Sequence, residues 1–353
     1  MERFAFWNIL SFMLLVIGLL YVPSILGQEG KKGLHDTQSS DQVPCIEEKA
    51  LSAVAQPKTI GVLVLAHGAH HGHGEKGSGH VHGEQPPEEI PSWNASVLKA
   101  VKPLKDTYPL EVAFGMADPE TIKEAVHKLE EKGVSVVIVV PLFISSHSPI
   151  IGNSRYILGL QKELPYTTDV KSLPRLESKL RFSMTEALND SPLVAEILLE
   201  RSRELSTNPA KETVILVGHG PNDENENKLW LDDMQKLAAY VREKGGFKEV
   251  KVATWRSDAP KEIKDKAIYE LRTMVRASGE DGRVIIIPHL ISSGGVENEI
   301  VEALKGLTYI FNGKTLLPHE NITRWIEKQV EEDIQGCLEG SRALPEDADA
   351  ISK

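Results

Sequence analysis

Four blocks of this chain occur twice, in the same order. TIGVLVLAHG (Thr59–Gly68) is matched by TVILVGHG (Thr213–Gly220). EVAFGMADPETIKEAVHKL (Glu111–Leu129) is matched by KVATWRSDAPKEIKDKAIYEL (Lys251–Leu271), and VVIVVPLFISS (Val136–Ser146) by RVIIIPHLISS (Arg283–Ser293). ALNDSPLVAEILLERSREL (Ala187–Leu205) is matched by LLPHENITRWIEKQVEE (Leu316–Glu332). One such pair would be weak, but four in order mark an internal duplication. The first and third blocks are continuous apolar runs, the pattern of strands buried on both faces, and the second and fourth carry helices. Strands alternating with helices predict a parallel sheet covered on both sides. The fold class expected is therefore α/β: two duplicated three-layer α/β/α halves facing each other across a cleft, joined at Ser206–Lys211. Asp118 and Asp258 stand near the starts of the repeated helices, where caps belong.

Both copies of the first strand end in His-Gly, at His67 and His219. The third strand of the first copy is followed by His147, and that of the second contains His289. In open parallel sheets ligands bind at the carboxyl ends of strands, so these ends are where chemistry is expected. Six of the chain's twelve histidines fall between His67 and His82, in a Gly-rich loop spanning residues 67–83. Density of that kind, at His70, His71, His73, His80 and His82, predicts metal affinity, in a collecting loop rather than a closed tetrahedral cage. A natural tract with adventitious affinity is the blander reading. His127 reads as solvated on a helix, His289 as a satisfied core residue, and His319 as a cap of the last helix.

A net charge of −11 argues against a general nucleic-acid binder and suits a protein that handles cations. The two cysteines, Cys45 and Cys337, form no CxxC pair, and a disulfide between them is open. Residues 1–27 read as an export signal with an apolar run over Ile9–Val22, or as an uncleaved membrane anchor; export to a periplasmic or extracytoplasmic space follows, with membrane contact only if the segment stays. Residues 28–56 are polar and linker-like, 57–206 and 207–335 make the two halves, and 336–353 form a polar tail. Asn94-Ala95-Ser96 and Asn321-Ile322-Thr323 match the glycosylation sequon, a short pattern of little weight. No G-x-G-x-x-G or P-loop follows any strand, so no nucleotide is expected.

The strand ending VLVLAHG, the strand closing in Pro-Leu-Phe-Ile and the helix after Ser191-Pro192-Leu193 resemble the type II tetrapyrrole chelatases, the sirohydrochlorin cobaltochelatase and ferrochelatase family, in a two-repeat form. The resemblance covers most of Thr59–Glu332. It implies two flavodoxin-like halves, insertion of a divalent metal into sirohydrochlorin or a related tetrapyrrole, and a place in cobalamin or siroheme biosynthesis. The metal, Co²⁺ first and Fe²⁺, Ni²⁺ or Zn²⁺ behind it, would be substrate. The family's second histidine follows P-x-F-L-x-x-G-x-H; counted from Pro141 that position is Pro149, with His147 two residues earlier. Counted from Pro288 it is Val296, beside Glu297, and a His-plus-Glu pair resembles the ferrochelatase branch.

Metal insertion needs a borderline ligand, a base for two pyrrole N–H protons and a cleft for the macrocycle. His67 is the first candidate as ligand and proton acceptor, with His147 as partner; His219 and Glu297 are the candidates of the second half. The active half is open, the first being favoured. Arg155, Arg175 and Arg181 are candidates by charge for the tetrapyrrole carboxylates. The competing reading is an exported metal-binding protein on a chelatase scaffold, for storage, delivery or sensing, which would need the His-rich loop and not the strand-end histidines.

Overall fold

A computed structural model describes residues 60–68, 92–165 and 172–338. The signal-like segment, the linker with Cys45, the histidines at 70, 71, 73, 80 and 82, and the tail from 339 lie outside the described residues, as does the side chain of Cys337.

The two α/β halves expected from the repeat are present. In the first, β1 (Ile60–Ala66), β2 (Leu110–Phe114), β3 (Val136–Leu142) and β4 (Arg181–Met184) form a parallel sheet in the order β2-β1-β3-β4. Its helices are α1 (Ser92–Val101), α2 (Pro119–Glu131), α3 (Pro149–Ile157) and α4 (Pro192–Leu205). In the second, β5 (Glu212–Gly218), β6 (Glu249–Thr254) and β7 (Arg283–His289) are parallel in the order β6-β5-β7. Its helices are α5 (Glu224–Gly245), α6 (Lys261–Glu280), α7 (Val296–Ala303) and α8 (Glu320–Leu338). The fourth strand of the second half has shrunk to a single parallel bridge between Ile285 and Ile310.

Alternation along the central strands sorts the core into layers, because successive side chains point to opposite faces. Leu63 and Leu65 of β1 join Val137 and Val139 of β3 under α2 and α3. Ile215 and Val217 of β5 join Ile286 of β7 under α6 and α7. The remaining faces do not make two cores. Val62 and Val64, Val214 and Leu216, and the inner sides of α1, α4, α5 and α8 belong to one continuous cluster that spans both halves.

The last helix of each half is exchanged within that shared layer. α4 closes the first half in sequence, yet packs on α5 and β7 of the second. Arg203 of α4 donates to the Lys244 carbonyl at 2.6 Å, and Arg201 to the carbonyls of Thr315 and Pro318. α8 closes the second half, yet packs on α1 and β3 of the first. Thr323 donates to the Ala100 carbonyl at 2.7 Å, and Ser183 of β4 donates to Asp333 of α8 at 2.9 Å. The space between the sheets is thereby filled by these helices. Asn94 and Asn321, the two sequon asparagines, are 1% and 4% exposed, so neither side chain is available for a glycan.

Candidate active site

β5 delivers His219 to the carboxyl edge of the second sheet. Val214–Val217 are fully buried, and the strand leaves the sheet at Gly218. The turn beyond needs a glycine at 220: its φ is 76°, and a Cβ there would lie 2.5 Å from the Cβ of Thr254. Asp223 then caps α5, accepting from the amides of Asn225 and Glu226 at 2.9 and 3.0 Å. The loop is clamped from the end of β6. The Arg256 amide donates to the His219 carbonyl at 2.5 Å. Its buried guanidinium donates to the carbonyls of Pro221 and Asn222 at 2.9 and 2.6 Å and to the Glu224 carboxylate at 2.8 Å. Arg256 holds a φ of 53°, a conformation a non-glycine residue keeps only where its surroundings enforce it.

This clamp aims the His219 ring at two oxygens. Nδ1 lies 2.9 Å from the Gly220 carbonyl; Nε2 lies 3.2 Å from Ser257 Oγ and 3.2 Å from Asp258 Oδ2. Gly220 O and Asp258 can only accept, so both contacts are hydrogen bonds when both ring nitrogens carry protons. With Nε2 deprotonated, the Ser257 hydroxyl can donate to it instead. The site therefore accommodates both protonation states of the ring. Burial alone would push the His219 pKa down; Asp258, the Gly220 carbonyl and the charge of Glu299 outweigh it and raise the pKa above the ordinary value. Asp258 is held below the usual carboxylate range by its bond to His219, against the opposing effect of burial. A third of the imidazole is exposed, so the ring is open to a substrate.

Of the two acidic residues early in α7, Glu299 faces this site. Trp255 Nε1 donates to Glu299 Oε2 at 3.0 Å, and Lys264 stands 3.9 Å from the same oxygen. Glu297 turns its carboxylate onto the amides of Gly294 and Gly295, at 3.4 and 3.2 Å, at the start of its own helix. Neither Asp258 nor Glu299 was singled out as a site residue from the sequence. Asp258 had been expected to cap α6, but the residue at that cap is Pro260 and the carboxylate belongs to His219. The only signal was the Asp in the repeated turn, and it points the wrong way in one copy: Asp118 does cap α2, accepting from the Glu120 amide at 3.0 Å.

The first half carries a different arrangement. His67 is exposed just past β1. Gly68 leaves no room for a side chain, since a Cβ would be 2.3 Å from Asn94 Oδ1. His147 follows β3, the neighbour of β1, in a loop pinned by Asn189, which accepts from the Ser146 amide at 2.7 Å. Its Nε2 lies 3.7 Å from Asp233 Oδ2 of α5. Glu186, just past β4, pairs with Arg155 at 3.0 Å. Burial would raise its pKa, but Ser146, Arg155 and His147 bring it below the ordinary value. Arg175 donates to the carbonyls of Gln161 and Lys162 and stacks on Tyr156 at 4.3 Å. Arg181 opens β4, at the edge opposite the strand-end histidines. Arg155, through Glu186, is tied to a residue at the carboxyl edge.

The remaining described histidines, His127, His289 and His319, lie away from the strand-end sites or inside the core. His127 lies beside Glu130 and Glu131 on an exposed face of α2. His319 Nδ1 accepts from the Asn321 amide at 3.1 Å at the head of α8, and Nε2 meets Glu200 of α4. His289 is buried, as expected, but neither ring nitrogen has a hydrogen-bond partner, so it is not the satisfied core residue the sequence suggested. Burial drives its pKa down to about 4. Among the described residues no three His, Cys, Asp or Glu side chains converge to hold a metal ion.

The CbiX family model matches residues 80–205 and, a second time, 213–333. The chain belongs to the CbiX family. The two matches fall within the two copies read from the sequence, the first beginning past β1, so this member carries the family unit twice, in the two-repeat form of a type II tetrapyrrole chelatase. No curated protein matches the chain. Among solved structures it is similar to SirB from Bacillus subtilis with Fe³⁺: TM-score 0.54, 16% identity, 80% of this chain and 98% of that one. It is also similar to the sirohydrochlorin chelatase SirB from Bacillus subtilis subspecies spizizenii in complex with cobalt: TM-score 0.53, 13% identity, 80% and 98% of the two chains. At such identities the likeness establishes the fold, and CbiX membership stands on the sequence match.

Proposed function

We propose that the protein inserts a divalent metal ion into sirohydrochlorin or a closely related tetrapyrrole, with Co²⁺ the preferred metal and Fe²⁺ and Ni²⁺ next. CbiX membership supports the reaction class, and the solved relatives are described with cobalt and with Fe³⁺. The metal is substrate, and no nucleotide takes part. The observation that carries the reading is the His219 ring between Asp258, Ser257 and the Gly220 carbonyl. Each inserted metal ion displaces two pyrrole protons, and a base is needed whose protonated form is stabilised where it stands. His219 takes the two protons in succession at Nε2, each held against Asp258 and the first passed to solvent from the exposed side of the ring before the second is accepted; Glu299 adds negative charge beside it. His67 and His147 serve as ligands that receive the metal in the first half, and the histidines of the 67–83 loop gather it. Residues 1–27 direct the chain to an extracytoplasmic space.

The test is an insertion assay on the chain without residues 1–27, following the visible spectrum of sirohydrochlorin with Co²⁺, Fe²⁺ and Ni²⁺ in turn. Turnover abolished by His219→Ala, with His67→Ala raising the Co²⁺ concentration needed rather than lowering the limiting rate, supports a base in the second half; full turnover in His219→Ala removes it from there. Absence of turnover with every metal, in a protein that still binds several ions, defeats the chelatase reading and leaves an exported metal-binding protein.

A further inference from the structure

The sequence offered His147 as a ligand but gave it no partner outside its own half. The structure supplies one. Asp233 lies on α5, in the second half, with its side chain 13% exposed and its Oδ2 enclosed without a hydrogen-bond partner. That oxygen faces His147 Nε2 at 3.7 Å, too far for a hydrogen bond. An enclosed carboxylate oxygen that has lost water and gained nothing in return is uncommon, and an absent ion or water is the usual reason. Two donors each about 2.1 Å from one tetrahedral metal stand roughly 3.4 Å apart. The observed pair needs to close by only a few tenths of an ångström.

The pair is held from both sides. Trp230, one turn before Asp233 on α5, donates its indole N–H to the His147 carbonyl at 2.6 Å, which fixes the loop against the helix. Asn189 holds the other side of the loop through Ser146. A cation already balances the charge: Lys236 Nζ lies 2.8 Å from Asp190 and 3.2 Å from Asp233 Oδ1. The repeat does not duplicate the arrangement, since Gly294 stands where the second half would need its own His147.

We propose that His147 Nε2 and Asp233 Oδ2 form a docking point for the metal substrate, assembled across the two halves and separate from the His219 base. This rests on the chelatase reading for what becomes of the ion, but not for its binding. Two protein donors leave half of a tetrahedral shell to water. An ion so held is released more readily than one in a four-ligand cage, as handing it on to a macrocycle requires.

The experiment titrates Co²⁺ alone into the chain carrying alanine at 70, 71, 73, 80 and 82, reading the ion's visible absorption and the quenching of tryptophan fluorescence. Asp233→Asn and His147→Ala are each expected to weaken Co²⁺ binding by about 10-fold or more. Lys236→Met is expected to tighten it several-fold, a gain that a folding defect does not imitate. Unchanged affinity in both Asp233→Asn and Lys236→Met overturns the docking point. Insertion into sirohydrochlorin is measured alongside. Asp233-dependent binding without turnover keeps the docking point and defeats the chelatase reading; turnover with Co²⁺ affinity indifferent to both substitutions does the reverse.

Discussion

Asp258 Oδ2 lies 3.2 Å from His219 Nε2, while Asp118, its counterpart in the repeat, spends its carboxylate on the Glu120 amide at the head of α2. One ancestral turn has thus taken two roles. In the first half it stabilises a helix end, a contribution of about 1 kcal/mol. In the second it polarises an imidazole. The accompanying residues have diverged in step. Where the second copy has Trp255-Arg256-Ser257, the first has Gly115-Met116-Ala117, with no guanidinium to clamp the loop and no hydroxyl to meet the ring. The duplication supplied two scaffolds, and the second of them holds its strand-end histidine between an aspartate and a serine.

That relationship sets the pH dependence of insertion. His219 accepts a proton only when neutral, and its pKa is raised, so turnover is expected to increase with pH through a midpoint above the ordinary histidine value of about 6.5. Replacing Asp258 with Asn removes the main group that raises it. The acid limb of the rate profile should then move to lower pH, and the His219 ring should titrate at lower pH by NMR. His219→Ala is expected to reduce turnover by about 100-fold or more. An acid limb in the same place in wild type and Asp258→Asn would remove His219 from the proton-accepting role.

Much of this architecture was legible in the sequence because it is written in apolar periodicity. VVIVVPL and RVIIIPH announce buried parallel strands, and the His-Gly ends announce their carboxyl edge. The exchange of α4 and α8 was not legible. An amphipathic helix records that it has an apolar face, not which sheet that face covers, and Val194 and Ile326 would pattern identically under either arrangement. The site divides in the same way. His219 was visible as a strand end. Asp258 was hidden because Asp before a helix looks like a cap, and Glu299 because the family pattern points to Val296, whose acidic neighbour is Glu297. Asp233 could not be found at all, since its meeting with His147 is a contact between the halves.

The Arg256 clamp predicts a cost in both stability and activity. A buried guanidinium with three acceptors in fixed directions cannot be replaced by a point charge. Arg256→Lys should leave the carbonyls of Pro221 and Asn222 short of donors and lower unfolding free energy by about 2 kcal/mol, read from urea denaturation. Turnover should fall further than stability explains, because the same loop aims His219. Stability unchanged within about 0.5 kcal/mol would show that the clamp is ornamental.

The joint between the halves should be sensitive to acid. Glu212 is fully buried at the start of β5 and accepts from Ser206, from the amides of Thr207 and Asn208 at 3.0 and 3.2 Å, and from Arg283 at 2.5 Å. Burial pushes its pKa up, but these donors prevail and hold it below the ordinary carboxylate value. A carboxyl group with a depressed folded-state pKa stabilises the protein above its unfolded pKa, and that contribution fades as pH falls through the folded value. Urea midpoints should therefore drop as pH falls from about 5 through the folded value, and Glu212→Gln should both lower stability at neutral pH by about 1–3 kcal/mol and flatten the decline. An equally steep decline in Glu212→Gln would assign it to other carboxylates.

The helix exchange makes a prediction that distinguishes it from two self-contained halves. Ile326 of α8 is completely buried in the shared layer, and α8 packs on α1 and β3. Ile326→Ala should cost about 2–5 kcal/mol. The position of the damage is the informative part. If α8 belonged structurally to the half that encodes it, amide exchange would rise first in β5 and β7. With the helix exchanged, protection should fall first in β3 and α1 of the first half. The mirror substitution, Val194→Ala in α4, should loosen β7 and α5 before β3. Exchange rising uniformly in both sheets with either substitution would mean that the shared layer unfolds as one unit and that the exchange has no local consequence.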